Sequence, residues 1–209
     1  MKQRTTEWLE ITKNGSAEYH EKQYREIKRS TIKFFDWLES KGIINPDSKL
    51  SIADMASGMG ANLRYMAERY LKSYFLGIDI NSELINWGQK FHKDIANTKL
   101  IIGDWYNFPT EEHKREFDGI VSFQTLSWLQ DFREPINKLI ELEPKWIGLT
   151  SLFFEGDINC TIAAQDYTEP IGGKDYKETY YNIYSLPLVE KFGYIRVSQK
   201  VIPKAYPGI

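Results

Sequence analysis

The sequence predicts a single α/β domain built on a doubly wound, mostly parallel Rossmann-like sheet with helices on both faces. Two observations predict it. From about residue 48 to residue 154, short apolar runs alternate with helix-period segments, the pattern of strands buried on both faces and joined by helical crossovers. The length of 209 residues supplies one sizeable core and falls short of two ordinary domains.

The elements follow in order. Tyr24, Ile27, Thr31, Phe34, Phe35 and Leu38 recur at three- and four-residue steps, which predicts one N-terminal helix over 16–41 with a single buried face, ended by Gly42. The core, 48–154, then reads as "LSIADM" and "NLRYMAERYL", "YFLGIDI" and "SELINWGQKFH", "KLIIGD", "FDGIVSFQ" and "EPINKLIELE", and finally "KWIGLTSLFF". Pro135 lies near the start of its helix and Pro144 just past the end, where proline is tolerated. Over 155–185 the periodicity stops in a segment rich in Tyr, Asp, Gly and Lys, which reads as a substrate cap inserted after the fifth strand. A short helix around Leu186 to Phe192 and a strand "YIRVSQKVI" complete the pattern. An antiparallel closing hairpin needs a second strand, either from "NCTIAAQDY" or from chain beyond Ile209.

Charge and composition narrow the function. A net charge of −2 with acids and bases scattered along the chain argues against a nucleic-acid partner. No apolar run has the length of a signal peptide core or a membrane span, so a soluble cytoplasmic protein with no membrane partner is expected. The single cysteine, Cys160, has no partner for a disulfide or a zinc site and reads as a small apolar packing residue. No His/Asp/Glu spacing proposes a metal.

In such a sheet, ligands bind at the carboxyl ends of the strands, where strand order reverses. After the first strand comes Asp54-Met55-Ala56-Ser57-Gly58-Met59-Gly60, then a helix; small residues there admit a ligand to the backbone, and the helix start offers unpaired N–H groups to an anion. Asp79 ends the second strand, where a carboxylate accepts two hydrogen bonds from a ribose diol. Asp104 and Trp105 end the third, an acceptor for an exocyclic amine beside an aromatic surface. A dinucleotide loop G-x-G-x-x-G needs a third glycine where this chain has Leu63, and no Gly-Lys-Ser/Thr follows. The ligand therefore carries an adenosine and an anionic group without a pyrophosphate, a description that S-adenosylmethionine meets.

On these residues the chain resembles class I S-adenosylmethionine-dependent methyltransferases of the small-molecule or surface-sugar tailoring type, over roughly residues 48 to 155. "SIADMASGMGAN" is similar to the family's first motif, with Ala56 in place of a usual glycine. The resemblance implies a loop of Asp54, Ala56, Ser57, Gly58, Gly60 and Asn62 around the methionine part, Asp79 on the ribose and Ile80 on the adenine. "IIGDWYNF" then implies Asp104 at the adenine amino group with Trp105 beside the ring, and "FDGIVSFQTLSWLQD" implies Phe123 and Gln124 near the methionine end. "SAEYHEKQY" resembles the family's N-terminal lid helix, with Tyr19 reaching the cofactor carboxylate.

The expected activity is methyl transfer to an O or N atom of a small polar metabolite, a sugar or surface-polysaccharide precursor among them, with S-adenosyl-L-homocysteine as product. Glu155, just past the fifth strand, and His20 are the candidate catalytic groups; Trp128, Asp157, Tyr181, Asn182 and Tyr184 are the candidate substrate contacts. His92 falls in a helical pattern, and His113 reads as a solvated loop residue. Two rival readings remain on the sequence alone: a non-catalytic regulatory subunit that binds an adenosine cofactor, and an NAD-dependent oxidoreductase, which Leu63 disfavours.

Overall fold

A computed structural model describes residues 16–166 and 177–193. Its centre is a five-stranded parallel sheet in the order β3-β2-β1-β4-β5, formed by β1 (Ser51–Met55), β2 (Tyr74–Asp79), β3 (Thr98–Ile102), β4 (Gly119–Phe123) and β5 (Trp146–Thr150). Around it lie helices α1 (Ser16–Arg25), α2 (Arg29–Ser40), α3 (Ala61–Arg69), α4 (Ser82–Phe91), α5 (Arg133–Glu141) and α6 (Leu186–Gly193). Strand order reverses between β1 and β4, so the carboxyl ends of these two strands splay apart and open a crevice.

Period-two side chains explain why both sheet faces are covered. Ile52 of β1, Phe75 of β2 and Val121 of β4 join Phe35, Leu38, Leu63, Met66 and Ile85 in one buried cluster. Their neighbours Ala53, Met55, Leu76, Ile78 and Ile120 join Phe108, Ile136, Leu139 and Val189 in the cluster on the opposite face. Alternation of this kind, with no polar face, leaves a sheet stable only when helices cover both sides.

Leu63 shows its physical role here. It is fully buried, and a side-chain carbon added to Gly77 of β2 would lie 2.8 Å from its Cδ2. Where a dinucleotide fold places the small residue on the helix, this chain places it on the facing strand.

The N-terminal helix predicted over 16–41 is two helices, broken at Glu26–Lys28, with Lys28 in an extended conformation (φ −63°, ψ 135°). No glycine or proline marks the break. Tertiary packing makes it: Tyr24 lies against Phe91 and His92 of the α4 end, whereas Phe35 and Leu38 enter the sheet-face core, and one straight helix cannot serve both. Gly42 ends α2 as predicted, at φ +67°, with the N–H of Ile43 returning to the Leu38 carbonyl at 3.0 Å.

The cap segment also differs. Cys160–Asp166 (β7) and Lys177–Ser185 (β8) form an antiparallel hairpin, and Phe153–Phe154 (β6) pairs in parallel with Tyr184–Ser185. "NCTIAAQDY" therefore does contribute a strand, in a small sheet of order β6-β8-β7. Cys160 is exposed rather than packed. The strand expected in "YIRVSQKVI" lies outside the described residues.

An ionic brace joins α2 to α3. Arg69 donates from Nε and Nη2 to the two Glu39 carboxylate oxygens at 2.8 Å each, and Nη2 also meets Asp36 at 2.8 Å; the Tyr70 hydroxyl donates to Glu39 at 2.9 Å. Loss of Arg69 leaves the Glu39 carboxylate with the Tyr70 hydroxyl but without its two guanidinium bonds. Arg69→Met is expected to lower unfolding free energy by about 2 kcal/mol, read as a shift of the urea midpoint at constant slope.

Candidate functional site

The crevice at the switch point holds a cavity of about 530 Å³, in the range of sites for drug-sized ligands. Its floor is the carboxyl ends of β1, β2, β3 and β4, and α1, α2 and their break form one wall.

Asp79 organises the floor. Its Oδ2 accepts the Gly58 N–H at 2.7 Å and its Oδ1 accepts the Asn81 N–H at 2.8 Å, so one carboxylate ties the loop after β1 to the start of α4. Burial pushes its pKa upward, against the pull of these two N–H groups. A carboxylate has about four lone-pair sites; two are used by these N–H groups, and Asp79 lines the cavity with the rest of its capacity unspent on them, which suits a vicinal diol.

Asp104 repeats the design one strand further on. Its Oδ1 accepts the Tyr106 N–H at 3.0 Å and its Oδ2 the Asn107 side-chain N–H at 2.6 Å, fixing the turn Trp105–Asn107 at the end of β3. Ile80, Ala56, Ser57, Asn62, Phe123 and Gln124 also line the cavity. Ala56 and Gln124 hold left-handed backbone at φ 60° and 65°, at the ends of the two strands that flank the switch point. Such conformations cost a residue with a Cβ of order 1 kcal/mol and concentrate where a site imposes them.

Asp54 lies below the floor. It is fully buried, absent from the cavity wall, and accepts the Asn62 side-chain N–H at 3.4 Å, while Asn62 in turn accepts the Thr31 hydroxyl of α2 at 3.0 Å. Desolvation, with a smaller contribution from the Asp79 charge, lifts its pKa to about 8. Gly60 is likewise absent from the wall: at φ +81° it caps α3, and its back is covered by His92 and Leu100. Trp105 presents an edge to the cavity but is 6% exposed, its indole N–H donating to the Pro135 carbonyl at 2.9 Å, so it is chiefly a core residue.

On the lid side, Tyr19 and His20 both reach the cavity, with their rings edge to face at 5.3 Å. His20 stands over the loop: a carbon added to Gly58 would meet its Nδ1 at 3.4 Å. Desolvation, helped by the Lys28 charge, lowers its pKa to about 4, so the imidazole is neutral at pH 7. Gln23, Ile27, Lys28, Ser30 and Thr31 complete this wall. Periodicity marks Ile27 and Thr31 only as part of a buried helix face and gives no signal for Gln23, Lys28 and Ser30, because it is the break between α1 and α2 that turns them inward.

Several expected contacts lie elsewhere. Glu155 and Asp157 are exposed and outside the cavity wall, because β6 pairs with β8 and carries the chain away from the sheet end. Asn182 and Tyr184 are buried behind the wall: the Asn182 side-chain N–H donates to the Leu129 carbonyl at 2.6 Å, and the Tyr184 hydroxyl lies 2.9 Å from that oxygen and 3.2 Å from the Leu126 carbonyl. They hold the turn Leu126–Trp128. That turn presents Trp128 to the cavity, and Tyr181 stands edge-on to Trp128 at 4.8 Å, on the hairpin side. His113, read as solvated, stacks on Phe108 at 4.9 Å.

Residues 52–142 match the family model for a methyltransferase domain. A curated, uncharacterized protein of Rickettsia prowazekii is 28% identical over 109 residues, 52% of this chain and 43% of that one. (S)-Coclaurine N-methyltransferase of Papaver somniferum is 22% identical over 167 residues, 79% of this chain and 45% of that one. The crystal structure of coclaurine N-methyltransferase bound to N-methylheliamine and SAH has the same fold, with a TM-score of 0.53 at 13% identity over 78% of this chain and 47% of that one. The chain spans less than half the length of the two curated relatives.

The family-model match covers under half of the chain, over a sheet of strand order β3-β2-β1-β4-β5. Asp79 and Asp104, two carboxylates lining one cavity beside a small-residue loop, are acceptors of the kind an adenosine cofactor would need. Among the described residues, no helix is long and apolar enough to cross a membrane.

Asp54 gives the site a pH signature. Its folded pKa is raised above the unfolded carboxylate value, so its contribution to stability is complete below about pH 4 and is lost as pH rises through about 8. Asp54→Asn mimics the neutral acid. Its melting temperature is expected to fall less than that of the wild type between pH 6 and pH 9, a comparison that a thermal-melt series at constant ionic strength reads directly.

Proposed function

We propose that the protein transfers a methyl group from S-adenosylmethionine to a nitrogen or oxygen of a small polar acceptor. The observation that carries this reading is the convergence of Asp79, Asp104 and the Gly58 loop on one cavity whose opposite wall is polar. In it, Asp79 holds the ribose, Asp104 and Ile80 the adenine, and Ala56, Ser57 and Gly58 pass along the methionine part, with Tyr19 at its carboxylate.

The bound cofactor supplies an electrophilic methyl group on a sulfonium. That methyl group would pass to an acceptor lone pair, leaving S-adenosylhomocysteine, and the proton displaced from the acceptor nitrogen or oxygen would go to solvent. Displacement of this kind asks the protein mainly for positioning and exclusion of water. Trp128 and Phe123 supply apolar wall and Gln124 an amide at the end of β4, while the lid side supplies hydroxyl, amide and ammonium groups. His20, neutral and aimed over the loop, accepts a hydrogen bond from the acceptor. With a pKa near 4 it orients that group better than it retains its proton. An acceptor that arrives as a free amine needs no stronger base, and the Papaver relative is by name an N-methyltransferase. The sugar or surface-polysaccharide acceptor drew its support from the tyrosines of 155–185; with Tyr181 on the hairpin side and Tyr184 behind the wall, a polar amine- or hydroxyl-bearing metabolite is the better-supported class.

Calorimetric titration with S-adenosylmethionine, S-adenosylhomocysteine and NAD tests the reading: the first two are expected to bind, and binding of NAD alone overturns it. Asp79→Ala is expected to weaken S-adenosylhomocysteine on the order of 30-fold, the worth of hydrogen bonds to a charged group. On an acceptor found by screening amines and hydroxylated metabolites, His20→Ala lowers kcat about tenfold with S-adenosylhomocysteine affinity retained. Glu155→Gln leaves kcat within about twofold, since an exposed residue outside the cavity makes no contact that is specific to the transition state.

A further inference from the structure

One buried histidine remains without a role in this account. His92 caps the C-terminal end of α4 and is 5% exposed, beyond the reach of any ligand in the cavity, whose wall it does not join. Its Nε2 lies 3.0 Å from the Gly60 carbonyl oxygen and its Nδ1 lies 2.9 Å from the Thr98 hydroxyl at the start of β3.

Chemistry fixes which nitrogen bears the hydrogen. A carbonyl only accepts, so Nε2 carries the proton and donates to Gly60; Nδ1 is then bare, and the one hydrogen of the Thr98 hydroxyl serves either Nδ1 or the Ile95 carbonyl, 3.1 Å from the same oxygen. The ring stays neutral because burial is the largest influence on it and the Arg64 guanidinium adds to that, together lowering its pKa to about 4 against the opposing Gly60 bond. The other groups around it are the Tyr24 ring of α1, edge-on at 5.4 Å, and the side chain of Leu100, which shares the space over Gly60.

The contact sits at a sensitive place. Gly60 closes the turn that begins at Ser57, with its N–H donating to the Ser57 carbonyl at 3.0 Å, and its own carbonyl starts α3 by accepting the Arg64 N–H at 3.0 Å. A carbon added to Gly60 would lie 2.7 Å from His92 Nε2, so the turn and the ring are in close contact. One turn earlier on α4, Gly88 approaches just as closely, its added carbon falling 2.7 Å from the Met59 carbonyl. Helix α4 thus supports the outer side of the loop at Met59 and Gly60, while Asp79 holds its inner side at Gly58.

We propose that His92 is a positioning residue for the cofactor loop: its Nε2–H fixes the Gly60 carbonyl and with it the backbone of Ser57–Gly60 against the ligand. The inference rests on the reading that this loop binds the cofactor. His92→Phe keeps the ring volume and the Tyr24 contact but removes the donor. Thr98→Val keeps the ring and its Nε2–H but removes the hydroxyl that holds the ring at Nδ1, and His92→Gln restores an N–H donor on a flexible chain.

Calorimetry with S-adenosylhomocysteine on the full chain, well below each variant's melting temperature, is expected to give a Kd raised tenfold or more for His92→Phe. A rise of about threefold is expected for Thr98→Val, and partial recovery for His92→Gln. In the wild type, ring ¹⁵N shifts are expected to report the Nε2–H tautomer. A His92→Phe variant that binds within twofold of wild type overturns the inference, whatever its melting temperature. If His92→Phe does not fold, Thr98→Val decides, and an unchanged Kd there overturns it. A wild-type chain that fails to bind S-adenosylhomocysteine overturns the functional reading itself, and this inference with it.

Discussion

A single carboxylate sets the geometry on which the molecule depends. Asp79 ends β2 in the crevice and accepts backbone N–H groups from two directions, Gly58 of the loop after β1 and Asn81 ahead of α4. Charge-assisted hydrogen bonds of this kind are about twice as strong as neutral ones. Asn81 then accepts the N–H groups of Glu83 and Leu84 and caps α4, and the far end of α4 brings His92 to the same loop. Strand, loop and helix therefore close a ring around the backbone of Ser57–Gly60. Its inner side faces the cavity, and its outer side has no room for movement.

Much of this was legible in the sequence because the relevant signals are local. Period-two runs followed by helix-period segments gave the five parallel strands and the helices between them, and Asp79, Asp104 and the small-residue loop could be placed at strand ends by counting. Leu63 in a glycine position argues against a pyrophosphate loop, and its partner Gly77 explains how the helix still packs on the strand.

What the sequence hid is tertiary. The break between α1 and α2 has no breaker residue; it arises because Tyr24 and Phe35 pack on different bodies. With that break unseen, the polar wall was sought in the tyrosine-rich segment after β5. Asn182 and Tyr184 look from their type and position like ligand contacts, yet both are buried and direct their N–H and O–H groups to backbone carbonyls. Nothing in a tyrosine's identity distinguishes a wall from the beam behind it. Likewise, His92 looked like one more helix residue, because its partners lie 32 and 6 positions away.

The clamp of Asn182 and Tyr184 on the turn Leu126–Trp128 divides β8 by register. These two residues are buried, whereas Tyr181 between Tyr180 and Asn182 is exposed, as are Ile158 and Ile162 of the β6–β7 connection and β7. The hairpin therefore separates two kinds of variation. Its inner positions transmit to the cavity through two backbone carbonyls; of the outer ones Tyr181 meets Trp128 of the cavity wall, whereas Ile158 and Ile162 do not line it. A lineage of such proteins can rewrite the outer surface around Ile158 and Ile162, and with it whatever that surface meets, while the shape of the cavity stays as it was.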